Sequence, residues 1–367
     1  MTSRWIRLAA QGIALLLVAW GIIHTGRQAA DRLGKQQAEL ALAAEQLEAE
    51  AEEAAPAQRP AIFRQAQKLR DRAAAFWQAS PLWLVAAGVA YALGMLPAGS
   101  YWRLCLRKLD QPAPPLLTLY AYLLGHLGKY FPGKAMVIVL RLGVLSRLGV
   151  LKVATTLTIF METLTMMAVG SALAAISLIW LRLDWRWTLL ACGLMLLTFV
   201  PTFPPILREV LKRTQRQVAP QLMQLWLARI DWKLLIRGWL LLGVTWLLYG
   251  LSLYCVLRAS PTAEFAEVPG LTIALSSLGA CAMAVVLGFV SFLPGGAGVR
   301  EVVLSTMLSP IVGPVAAIAA AVWLRVVWLL TEILAAAGLR IVCWRVAEEG
   351  FAATTEYLWG PSDDLTR

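Results

Sequence analysis

Charge is scarce in this chain: 15% of its 367 residues are charged and two are histidine. A soluble domain of this size carries about 25% charged residues, so a water-facing globular fold is excluded. Catalytic equipment is missing as well. There is no GxxxxGK[ST] phosphate loop, no HExxH, no aspartate-rich metal motif and no supported Ser-His-Asp set, which removes a self-contained ATP-driven pump and a zinc peptidase. The five cysteines (Cys105, Cys192, Cys255, Cys281 and Cys343) are isolated in or beside apolar runs. Without a CxxC or other ligand spacing they read as small buried hydrophobes. No basic and aromatic interleaving suggests a nucleic-acid face. No metal, cofactor or nucleic-acid partner is expected.

What the chain does have is apolar length. It is 59% hydrophobic, with a mean hydropathy of +0.66, and several runs reach the ~18 residues that cross a bilayer. Full spans are expected at 5–23, 81–101, 153–180, 187–207, 238–257 and 315–343. No small-x-small cleavage site follows the first run, so an uncleaved span is expected there rather than a signal peptide. The net charge of +11 sits mostly in loops, as the positive-inside rule places cytoplasmic segments. Segment 208–237, with seven basic and two acidic residues, is the strongest such marker. This puts both termini on the cytoplasmic side. Several of the sixteen Trp residues, among them Trp83, Trp185 and Trp187, stand near span ends, where indoles favour the headgroup boundary.

Residues 24–80 differ in kind, with eight basic and eight acidic side chains and few large hydrophobes. Leu33, Leu40 and Leu47 recur every seven residues, with Ala54 next in register, a helical seam period. Pro56 and Pro60 break the pattern, and Ile62, Ala66, Leu69, Ala73 and Phe76 resume it at three-and-four spacing. The prediction is an antiparallel helical hairpin outside the membrane. A passive spacer is the plainer role for it; residues 31–78 could also meet a protein partner.

Two Pro-Gly breaks interrupt the remaining apolar sequence. One is Tyr130-Phe131-Pro132-Gly133-Lys134; the other is Phe292-Leu293-Pro294-Gly295-Gly296-Ala297-Gly298-Val299-Arg300-Glu301. Irregular backbone at membrane depth survives only where protein or a wet cavity satisfies it, and paired broken helices point to a transporter's binding site. Charge placement favours a hairpin over 116–150 that starts and ends on the cytoplasmic side. The second unit, 271–313, then starts from the opposite face, as an inverted repeat requires, although its first arm is long enough to cross. Direct similarity between the units is limited to Leu127-Gly128 and Leu287-Gly288 before their breaks. The fold expected is all-α and polytopic, with about six full spans plus two broken, re-entrant or short-helix pairs. Its parts are a first span at 1–23, the hairpin at 24–80, a membrane domain at 81–345 and a tail at 346–367.

The breaks are also where chemistry is expected. A helix starting after a break aims its free N–H groups and positive end at the site, and Arg adds a fork suited to phosphate. Lys134, Gly133, Pro132, Pro294, Gly295, Gly296, Gly298 and Arg300 are therefore candidate substrate-binding residues. The bland reading is a pair of tight connections. Glu162, Glu301, Arg325 and Glu332 are candidates for a charge network, since buried ionisable groups are costly in a membrane and face its interior. A structural ion pair joining Glu162 to Arg325 or Arg300 competes with a headgroup-binding network. Lys129 reads as a snorkelling residue and His126 as a packed one. No nucleophile accompanies Glu162 or Glu301, so no catalytic residue is assigned and enzymatic activity is not the favoured reading.

These same residues carry a resemblance. Leu127 to Lys134, Glu162, the run Leu293 to Glu301 and Arg325 resemble the flippase-like integral membrane family related to the membrane domain of lysylphosphatidylglycerol synthases. The resemblance covers roughly 81–345, and its most specific element is Pro-Gly-Gly-x-Gly-x-Arg-Glu. It implies a polytopic fold in the bacterial cytoplasmic membrane and movement of a lipid between leaflets. The short segment 346–367 is too small for a soluble aminoacyl-transferase domain, so lysyl transfer is not expected. The hairpin at 31–78 departs from the pattern. The expectation is thus a translocase for a lipid with an anionic or zwitterionic headgroup. The alternatives are a membrane-embedded lipid-linked transferase, or a scaffold for a lipid- or glycan-modifying enzyme.

Overall fold

The computed structural model describes residues 34–35, 37–75, 78–130, 135–182, 185–214, 220–260, 268–291 and 293–359, and the regular elements among them are helical. Helix α1 covers 37–53 and α2 covers Arg59–Ala75. The seam predicted for them forms, with alanines at its centre. Ala44, Ala51 and Ala66 are buried between half-buried Leu40, Leu47, Ile62 and Leu69. Arg70 pairs with Glu48 at 2.7 Å, and Arg59 closes the turn by donating to the Glu52 and Ala54 carbonyls.

The rest is a helix bundle: α3 (Pro81–Lys108), α4 (Pro115–Leu127), α5 (Ala135–Leu145), α6 (Lys152–Trp180), α7 (Trp185–Phe199), α8 (Pro204–Thr214), α9 (Pro220–Arg229), α10 (Trp232–Ala259), α11 (Gly270–Val290), α12 (Val299–Val312) and α13 (Pro314–Trp359). Among the described residues, six helices are long and apolar enough to cross a membrane: α3, α6, α7 with its extension to Thr202, α10, α11, and α13 as far as Trp344. Run 5–23 lies outside the described residues. The sixth long helix is instead α11, which carries 21 residues without a proline or a charge. By contrast α4 and α5 have 13 and 11 residues. At ~1.5 Å per residue neither reaches across a ~30 Å apolar layer.

Contacts between helix ends establish the order of the bundle. Helices α3 and α10 run antiparallel: the Ser80 N–H donates to the Ala259 carbonyl at 2.9 Å, and Lys108 pairs with Asp231 at the far end. Asp231 also caps α10 by accepting from the Leu234 N–H. Burial alone would raise its carboxyl, but the Leu234 N–H and Lys108 outweigh it and hold the group below the usual carboxylate range. The α4–α5 pair leaves from this Asp231 end and returns to it, because the Leu151 N–H opening α6 donates to the Gln111 side chain just before α4. Helix α11 is antiparallel to α10, with Gly250 against Leu278 and Tyr249 against Cys281. The second unit therefore sets out from the opposite end, as the sequence predicts.

Small residues let these helices close up. Gly170 lies directly under the indole of Trp246, whose N–H donates to the Met166 carbonyl at 2.9 Å. Close approach of this kind, rather than hydrophobicity, holds helices together in lipid. Replacing Gly170 with Leu is expected to cost about 1–3 kcal/mol through overpacking, read as a lowered melting temperature of the purified protein in detergent. Gly193→Ala, where the added carbon meets nothing within 4 Å beyond its own helix, is expected to hold or slightly raise that temperature, since alanine is the better helix former.

Candidate functional site

Two three-residue turns, Gly128–Tyr130 and Pro294–Gly296, pack against each other inside the bundle. They touch where the Tyr130 ring lies on Gly295: a carbon added to that glycine would sit 3.0 Å from the ring. Gly295, Gly296 and Gly298 have φ of 57°, 67° and 85°, a left-handed region that other residues occupy only at a cost of about 1–2 kcal/mol each. The chain can therefore leave Pro294 and begin α12 within four residues only with glycine at these places. The turn that leads into the first break thus meets the second break. Phe131, Pro132, Gly133 and Lys134 lie outside the described residues.

Among the described residues, seven charged side chains sit around the turns, and three pairs form. Arg141 donates to Glu162 at 3.0 Å, both residues buried to 5% exposure or less. Tyr122 also donates to Glu162, and the guanidinium lies 4.5 Å from the Trp102 and Tyr122 ring centres. Lys129 and Tyr91 both donate to Glu332, which is wholly buried, while Tyr91 stacks on Trp328. Arg325 pairs with Glu301 and donates to the Gly295 carbonyl at 3.2 Å. Glu301 in turn accepts from the Gly298 N–H at 2.8 Å, tying the ion pair to the start of α12. His126 is within electrostatic reach of Lys129, Arg141 and Arg300, so the groups share one centre.

Arg300 is the seventh. Its side chain threads a slot between Gly288 and Gly296: carbons added there would meet its Nε at 2.8 and 2.9 Å. That Nε is buried without a hydrogen-bond partner, and no carboxylate pairs with Arg300 among the described residues. Arg300 and Arg325 together border a narrow, mainly apolar cleft between α11, α12 and α13, lined by Cys281, Ala284, Leu304, Ala321, Leu324 and Trp328.

The pairing corrects two expectations. Glu162 bonds Arg141 rather than Arg325 or Arg300, because α5 packs on α6 while Arg325 faces α12. Lys129 does not snorkel to a surface; a buried carboxylate on α13 draws it inward. Arg325 and Glu332 share a helix face as their spacing predicts, yet they serve different partners. Tyr91, Tyr122 and Trp102 were not singled out beforehand. Nothing in their local sequence distinguishes them from interfacial aromatics.

Fold and centre together define a multi-pass helical membrane protein with a charged interior. The chain belongs to the lysylphosphatidylglycerol synthase transmembrane-region family, whose sequence pattern matches residues 62–336. The match begins inside α2, so the second arm of the hairpin falls within the matched segment. The family assigns a membrane-lipid-related function. No curated protein matches the chain.

These pairings separate two residues by their effect on stability. Glu162→Gln leaves Arg141 buried without its counter-charge and is expected to cost about 3–5 kcal/mol. Arg300→Ala removes a cation that has no carboxylate partner and is expected to cost less than about 1 kcal/mol. Thermal unfolding of both variants in detergent checks the contrast.

Proposed function

We propose that this chain moves a phospholipid between leaflets, its headgroup passing through the centre where the two turns meet. The observation that carries the reading is their convergence on a buried, net-positive cluster. Four cations, Lys129, Arg141, Arg300 and Arg325, face three carboxylates, Glu162, Glu301 and Glu332. Broken helices from opposite ends of a bundle suit alternating access, since each can move against the rest while the site stays in place.

In this reading the Asp231 end of the bundle faces the cytoplasm, because Arg107, Lys108, Arg229, Lys233 and Arg237 lie there. The α4–α5 pair is re-entrant from that side. An anionic or zwitterionic headgroup reaches the turns and its phosphate engages Arg300. The paired carboxylates then exchange partners, so charge stays balanced while the path opens to the other face. Pro132, Gly133 and Lys134 complete the binding loop from the first unit, and Gly295, Gly296 and Gly298 let the second loop approach. Residues 31–78 offer a surface through which a protein partner could supply direction or cargo.

The test is reconstitution of the purified protein into liposomes carrying a fluorescent phospholipid. Wild type is expected to move the lipid without changing its mass, and Arg300→Ala to slow that movement at least tenfold, about 1.4 kcal/mol of barrier. A labelled lipid of altered mass would replace the translocase with a transferase. Neither movement nor mass change would leave a scaffold.

A further inference from the structure

The two broken units treat the same device differently. In each, a glycine of the first arm makes room for an arginine of the second. Gly125 lies against Arg141 and Gly288 against Arg300, and a carbon added at either glycine would come within 2.8 Å of the guanidinium Nε. Arg141 meets a carboxylate on the next helix, Glu162 on α6. Arg300 meets, on its own next helix α13, the apolar wall of the cleft at Ala321 and Leu324, and a second guanidinium, Arg325. Since Arg325 is already paired with Glu301, the centre holds, among the described residues, one positive charge beyond its carboxylates, and Arg300 is where it sits.

We infer that this site selects a lipid whose headgroup carries one net negative charge on a phosphate diester, with the phosphate as the missing counter-charge of Arg300. This rests on reading the centre as the headgroup site and narrows its cargo. A planar guanidinium offers paired donors that match two phosphate oxygens. An uncompensated charge in an apolar interior is costly until such an anion arrives. The other side chains that line the cleft, Ala284, Leu304, Ala321 and Leu324 among them, offer Arg300 no competing carboxylate.

The inference bears on the lipid in the family's name. Lysylphosphatidylglycerol bears one phosphate and two amines, so its net charge is positive, and a centre with a surplus cation disfavours it. A zwitterionic phosphatidylcholine brings its own counter-charge and gains less.

The experiment compares binding of three lipids, phosphatidylglycerol, phosphatidylcholine and lysylphosphatidylglycerol, to the full-length protein in detergent, read by native mass spectrometry. Phosphatidylglycerol is expected to be retained about tenfold over either of the others, the effect of one charge-assisted bond. Arg300→Gln is expected to erase that preference. So is Ala321→Glu, which supplies a carboxylate on the wall facing Arg300 and leaves the arginine in place. Equal retention of the three lipids would overturn the inference, as would preference for lysylphosphatidylglycerol, or selectivity surviving in both variants. Displacement of phosphatidylglycerol by an equal concentration of inorganic phosphate would also overturn it, by showing a site for free phosphate. Binding is scored without movement, so the two readings fail separately. Selective binding without transport in liposomes sinks the translocase alone, and transport without selectivity sinks this inference alone.

Discussion

A charge inside an apolar bundle must find a counter-charge or a polar partner, and this constraint organises the centre of the protein. Desolvating an ion costs several kcal/mol even after the surroundings relax, so each buried carboxylate draws a cation from a different helix. Glu162 on α6 takes Arg141 from α5, Glu332 on α13 takes Lys129 from the first turn, and Glu301 on α12 takes Arg325 from α13. These three pairs cross-link both broken units to the long helices. The contact between the turns, Tyr130 on Gly295, lies among them.

The glycines have a related role. Gly125, Gly288 and Gly296 each vacate the volume that an arginine side chain fills. A long cation can then lie along a helix and bring its head to the centre without parting the helices. The left-handed backbone at Gly295, Gly296 and Gly298 lets α12 start close to where α11 stops. Gly298 also donates to Glu301, so backbone and ion pair stabilise the same turn.

Much of this was legible beforehand, for identifiable reasons. Apolar length marks spans because a bilayer leaves no other place for 20 such residues, and α3, α6, α7, α10 and α13 follow the expected runs closely. The heptad of leucines announced the α1–α2 seam, although small alanines form its centre. The second Pro-Gly break announced the turn at Pro294–Gly296, since proline ends a helix and glycine permits the reversal. Pairing was not legible. Glu162 had Arg300 and Arg325 as candidates, and Arg141 won because α5 and α6 are neighbours, which local sequence does not encode. The aromatic shell of Tyr91, Trp102 and Tyr122 was hidden for the same reason: sixteen tryptophans and eight tyrosines make any one of them unremarkable until its neighbours are known.

The sequence by itself determined the solvent, the class and the punctuation: an apolar chain must be helical in a bilayer, and its breaks fall where Pro and Gly stand. It also fixed the identity of the seven charges available for the interior. Tertiary structure decided which charges meet, because pair energies depend on distances between helices far apart in sequence. It brought Gly288, Gly296 and Ala321 around Arg300, and so decided which cation is left without a carboxylate. That outcome depends on the packing of α11, α12 and α13 and on no single residue among them.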